Sequence, residues 1–126
     1  MEQLKFNQEG LIPAIIKEHS SGKVLMMAWM NQAALEKTMA TGHTVFWSRS
    51  RRKFWMKGES SGHTQAVKEI AFDCDGDTLL IRVAQTGAAC HEGYLTCFFR
   101  SVGADGQSVR VIEPLLLDPR KVYPKK

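Results

Sequence analysis

Residues 65–85 read QAVKEIAFDCDGDTLLIRVAQ, two apolar and partly β-branched runs on either side of a short acidic loop. Residues 65–72 and 78–85 have the length and composition of strands, and Asp75-Gly76 between them is turn chemistry, so the stretch predicts two strands joined by a loop. Toward the N-terminus the same pattern recurs. Residues 11–17 are apolar, but Pro13 has no N–H to give to a ladder and predicts an edge strand or a strand start. Ser20-Ser21-Gly22 then interrupts, and residues 24–29 read as a buried strand. Asn31 is a good helix N-cap, Leu35 and Met39 share a face at four-residue spacing, and Gly42 closes the segment, which predicts one helix over residues 32–41. Residues 44–48 and 53–57 predict short aromatic strands, and residues 94–102 a further strand ahead of a turn at residues 103–106. The expected fold is mostly β (α+β): short antiparallel strands with one helix near residues 31–41.

All 126 residues fit one domain, because cores divide only beyond ~250 residues. With 44% hydrophobic and 24% charged residues, the composition is that of a folding globular chain and not of a disordered or fibrous one. Apolar runs fall well short of the ~20 residues of a membrane-spanning helix, and no basic-then-apolar leader is present, so a cytoplasmic protein with no membrane partner is expected. The net charge of +4 is too small to announce a nucleic-acid binder. Its distribution says more: residues 49–57 hold five bases and no acid, whereas Asp73, Asp75 and Asp77 crowd three carboxylates together.

Three groups of residues carry possible chemistry. Cys74, Cys90 and Cys97 have no CxxC spacing; they are either buried free thiols or three zinc ligands that leave a fourth position open, with small residues around Cys90 admitting a ligand. In Asp73-Cys74-Asp75-Gly76-Asp77, an extended backbone would put the carboxylates on one face as hard Mg²⁺ ligands, with Cys74 opposite; the alternative is a polar turn. An EF-hand is excluded, since its sixth and twelfth positions would be Thr78 and Ala84. The guanidinium and hydroxyl groups of Arg49, Ser50 and Arg51, with Lys57, are phosphate-binding types, or else a solvated basic face. Trp47, Phe54 and Trp55 are either stacking surfaces or core. His91, beside Cys90, is the first candidate for proton transfer and His63 the second, while His19, His43 and Glu92 are expected on the surface.

Three ordered stretches, WSRSRRKFWMKGESSGH (residues 47–63), DCDGD (73–77) and GAACHEGYLTCF (87–98), together resemble the phosphoribosyl-AMP cyclohydrolases of histidine biosynthesis, over roughly residues 6–102. The resemblance implies zinc- and magnesium-dependent hydrolysis of the N1–C6 bond in the adenine ring of 1-(5-phosphoribosyl)-AMP, with zinc-activated water as nucleophile. It implies Cys74, Cys90 and Cys97 as zinc ligands and Asp73, Asp75 and Asp77 as magnesium ligands. It also implies an intertwined homodimer in which both chains supply the thiolates. Many relatives carry a fused pyrophosphohydrolase domain; the stretch after residue 102 is too short for one, so the monofunctional form is expected, and residues 103–126 receive no role. Two rivals are a zinc nucleobase deaminase, whose H-x-E and P-C-x-x-C signatures are missing, and a single-strand-binding module built on the basic, aromatic strands.

Overall fold

The computed structural model describes residues 3–116. Strand β1 (Leu11–Glu18) buries Ile12, Ala14 and Ile16 on one face, and β6 (Leu79–Gln85) buries Leu79, Ile81 and Val83 in the same alternating way. These two strands pair in parallel at the centre of a four-stranded sheet, flanked by β2 (Val24–Asn31) next to β1 and β5 (Gln65–Phe72) next to β6. Both outer pairings are antiparallel, so the sheet is mixed. Two hairpins complete the described strands: β3 (Val45–Ser48) with β4 (Lys53–Met56), and β7 (Arg100–Val102) with β8 (Val109–Val111).

Helix α1 (Gln32–Thr41) follows β2 directly. Asn31 caps it by accepting from the Ala34 N–H at 2.8 Å, and Gly42 ends it with a φ of 75°, a left-handed conformation that an L side chain rarely adopts. Its buried face is Ala34, Leu35 and Thr38, of which Ala34 and Leu35 pack with Met30, Phe46 and the β1 and β6 side chains into one core. Met39 is instead exposed. The Thr38 hydroxyl explains the rotation: it accepts from the Val45 N–H at 3.0 Å and reaches the Ala34 and Val45 carbonyls, so a polar residue is satisfied inside.

Three further expectations are revised. Pro13 sits in a central strand and not at an edge; the β1–β6 ladder begins one residue later, at Ala14–Leu79, so no rung of that ladder calls on its missing N–H. The central pair is parallel, which two strands joined through the rest of the sheet can be and two joined by a hairpin cannot. Within residues 94–102 only Arg100–Val102 is a strand; the preceding residues bond to other loops, as when the Cys97 N–H donates to the Leu25 carbonyl at 2.7 Å. The turn at residues 103–106 is present, with Asp105 accepting from the Gln107 and Ser108 N–H groups, and it leads into β8, which the sequence had not suggested. At the sheet's outer edge, β5 shifts register between Val67 and Glu69 and leaves Lys68 and Glu69 exposed. Of the C-terminal stretch, residues 117–126 lie outside the described residues. No helix among the described residues is long and apolar enough to cross a membrane.

Replacing Asn31 by Ala removes one cap bond and is expected to lower stability by about 1 kcal/mol. Urea unfolding should show an earlier midpoint with an unchanged slope, and an unshifted midpoint would refute the capping role.

Candidate active site and metal centres

The acidic and thiol groups lie at opposite ends of β6. At its start, residues 73–78 form a tight turn and not the extended segment that alternation suggested: the Gly76 N–H donates to the Asp73 carbonyl at 3.0 Å, and the Asp73 N–H to the Thr78 carbonyl at 3.1 Å. Gly76 has a φ of 74° and lies under the N-terminal segment, where an added Cβ would come within 2.1 Å of the Gln3 carbonyl oxygen. The Lys5 N–H donates to the Gly76 carbonyl and holds that cover in place. The turn gathers one oxygen from each of Asp73, Asp75 and Asp77 to within 4.8 Å of one another. Such a set of hard, exposed oxygens suits a small divalent cation.

The proton affinities reflect this crowding. Asp77 is held above the usual carboxylate range by the hydrogen bond its carboxyl shares with Asp73, then by desolvation and by the charges of Asp73 and Asp75. In Asp73, desolvation also pushes upward, but hydrogen bonds from Asp77, Thr78 and Asp75 outweigh it and leave its carboxyl below the usual range.

Past the other end of β6, Cys90 is buried and Cys97 has a face to solvent. Their loop is built from backbone bonds: Ala89 N–H to the Leu95 carbonyl at 3.0 Å, Cys90 N–H to the Tyr94 carbonyl at 3.1 Å, and Cys97 N–H to the Leu25 carbonyl. The two thiols are near enough to influence each other's ionisation. Burial, then the neighbouring Cys90, pushes the Cys97 thiol up to about 11, against the opposing pull of the Lys57 ammonium. Lys57 bends into this loop, donating to the Ala89 carbonyl. Its own pKa is lowered by burial, and the Cys97 and Cys90 thiols act in the opposite direction. Cys74 is not with them: it is exposed on the acidic turn, separated by the seven residues of β6, about 20 Å of extended chain at ~3.3 Å per residue.

The remaining candidates fall around two hollows. A cleft of about 500 Å³ is lined by Arg51, Lys53, Trp55, Lys57, Ser61 and His91, among others. Arg49 and Ser50 instead line a second hollow of about 580 Å³ with Trp29 and Trp47, and the Arg49 guanidinium lies 4.9 Å above the Trp29 ring. Ser48 and Trp55 border both. His63 backs the thiol loop: a Cβ on Gly87, whose φ is 69°, would come within 2.6 Å of the His63 ring, so glycine is what lets the two meet. Trp47 and Trp55 pack against the core, and Phe54 meets Trp47 edge-on at 5.0 Å. His19 and Glu92 are on the surface, while His43 is half-buried. Lys53, part of the basic run, joins Arg51 in the cleft lining, and Lys57, expected at phosphate, instead contacts the cysteine loop.

Residues 26–99 match the family model of phosphoribosyl-AMP cyclohydrolase. The chain belongs to the phosphoribosyl-AMP cyclohydrolase family. A phosphoribosyl-AMP cyclohydrolase of Pelotomaculum thermopropionicum is 56% identical over 126 residues, covering all of this chain and 97% of the relative. Those of Chlorobium phaeovibrioides and Chlorobaculum tepidum are each 52% identical over the whole chain and 91% of their own length. The cyclohydrolase match runs from within β2 to Phe99, so it takes in the basic run, the acidic turn and the thiol loop, and it stops before β7.

Because Asp77 keeps its proton to higher pH than an ordinary carboxyl, any divalent cation that engaged its carboxylate would have to displace that proton as pH falls. Calorimetric titration with magnesium in buffers of unlike ionisation enthalpy should therefore show weaker affinity and more proton release as pH falls. Binding that released no protons at any pH would contradict the shared Asp73–Asp77 hydrogen bond.

Proposed function

We propose that this enzyme opens the adenine ring of 1-(5-phosphoribosyl)-AMP by hydrolysing its N1–C6 bond, a step of histidine biosynthesis, with zinc at the cysteines and magnesium at the acidic turn. The observation that carries the reading is the cleft that joins basic side chains, Trp55 and His91 beside the Cys90–Cys97 loop. The donor sets fit the two metals. Cys90 and Cys97 are adjacent soft donors with the Lys57 ammonium close enough to offset thiolate charge, and the three carboxylates are hard donors. Cys74, solvent-facing and remote within its own chain, is the third sulfur and is supplied by a second copy of the chain in a homodimer.

Zinc, when bound, supplies a water acidified to a pKa of roughly 7. The chain's own residues do the rest. His91, exposed on the cleft wall, delivers the proton that the leaving ring nitrogen N1 needs. His63 acts from behind by supporting Gly87 and the loop that follows. The substrate has two phosphoryl ends: Arg51, with Lys53, serves one in the first hollow, and Arg49 with Ser50 serves the other in the second, which Glu9 also lines. Trp55, on the border of both, offers a ring face to the purine between them. Lys57 is committed to the Ala89 carbonyl and the thiols, so its charge serves the metal loop more than a phosphate.

Cys90→Ser and Cys97→Ser are expected to lose both bound zinc and turnover, followed by metal analysis and by the absorbance change on ring opening. Asp75→Ala and Asp77→Ala should keep zinc but blunt the dependence of rate on magnesium. Mixing inactive Cys74→Ser protein with inactive Cys90→Ser protein should regain part of the activity, because a mixed dimer holds one complete set of sulfurs. Mixtures that exchange subunits and stay inactive would refute the shared site, and full activity in metal-depleted protein would refute the zinc chemistry.

A further inference from the structure

Beyond the last residue of the family match, the β7–β8 hairpin turns the chain round and residues 112–116 run back along the thiol loop. The Ile112 N–H donates to the Phe99 carbonyl at 2.8 Å and the Leu116 N–H to the Gly93 carbonyl at 2.9 Å, so the returning segment grips the loop at both ends. Between these two bonds, both carboxylate oxygens of Glu113 meet the Lys23 ammonium, at 2.8 and 2.7 Å. The Glu113 side chain is only 16% exposed, which shields the pair from water better than an ordinary surface bridge.

Lys23 stands immediately before the residues that hold the middle of the same loop. The Val24 carbonyl accepts from the Thr96 hydroxyl at 2.7 Å, and the Leu25 carbonyl accepts from the Cys97 N–H at 2.7 Å. Residues 91–99 contain no helix or strand, so nothing regular within the loop sets the direction of the Cys97 side chain. Its shape comes from two holders, the start of β2 and the returning segment, and the ion pair ties one to the other.

We propose that residues 112–116 form a clasp that keeps the Cys90–Cys97 loop in its ligand-presenting shape, with Glu113 as the positioning residue acting through Lys23. The importance of this shape for metal binding rests on Cys90 and Cys97 being zinc ligands; the ordering of the loop does not. A ligand loop fixed in advance spares the metal the entropy of ordering it, as supporting contacts around metal sites generally do.

The test uses the full chain as Glu113→Gln, Leu116→Pro and Lys23→Arg. The first removes the charge with little change of shape, the second deletes the N–H that reaches Gly93, and the third keeps a cation opposite Glu113. In metal-free protein, maleimide labelling mapped by mass spectrometry should be several-fold faster at Cys97 in the first two variants, unchanged at Cys74, and near wild type in Lys23→Arg. In competition with a chelator, the first two should hold zinc roughly tenfold more weakly, with activity lost at limiting zinc and recovered when zinc is in excess. Wild-type labelling of Cys97 and wild-type zinc affinity in both variants would overturn the clasp. Labelling that responds to Glu113→Gln in a protein whose wild type binds no zinc would support the clasp and overturn the zinc reading alone.

Discussion

A strand hydrogen-bonded on both sides cannot fold back on itself, and β6 is such a strand, with β1 in parallel on one side and β5 antiparallel on the other. Its alternate residues Leu79, Ile81 and Val83 are wholly buried, so bending it would break ladders and core together. Everything chemical in the molecule is arranged relative to its two ends. The carboxylates and Cys74 hang from one, and Cys90, Cys97 and the base-lined cleft gather near the other. Each chain thus carries two kinds of donor that it cannot bring together, a separation that the proposed dimer turns into a shared centre.

The parallel pairing of β1 with β6 also dictates the path between them. The chain must leave the sheet and return, and this crossover contains α1, the β3–β4 hairpin and the basic run. Its return is fastened to the thiol end of β6: Thr44 N–H bonds to the Gln65 carbonyl, Thr86 N–H to the Thr64 carbonyl, and Lys57 to Ala89. Beneath these, the Gln65 side chain accepts from the Thr44 hydroxyl and donates to Gln85, a buried polar relay with its partners in place. The basic residues reach the cleft because the topology sends them there.

Local signals were the legible ones. Asn31 and Gly42 mark α1 because capping depends on the residue itself, and Gln65–Phe72 reads as a strand from its composition. What depended on distant partners was not legible. Thr38 turns inward in place of Met39 because Val45, seven residues on, exchanges hydrogen bonds with it. Pro13 is tolerated centrally because of where a strand 66 residues away begins to pair, at Leu79. Residues 94–99 have strand composition, yet their backbone groups are claimed by Leu25 and by the returning C-terminal segment. For the site, the family motifs named candidate donors, of which the structure gathers the three carboxylates into one turn and sets Cys74 apart from Cys90 and Cys97. That the cysteines need not meet within one chain followed from the resemblance; which of them stands apart did not, since spacing along a chain says nothing about the direction a strand will carry it.

The offset in β5 between Val67 and Glu69 bears on how copies of this molecule can meet. An outermost strand is a template for further strands when it is flat and apolar, and this one is kinked and presents Lys68 and Glu69 to water. Endless sheet growth from that margin is therefore disfavoured, and a neighbour meeting it finds charged side chains in place of a regular free ladder.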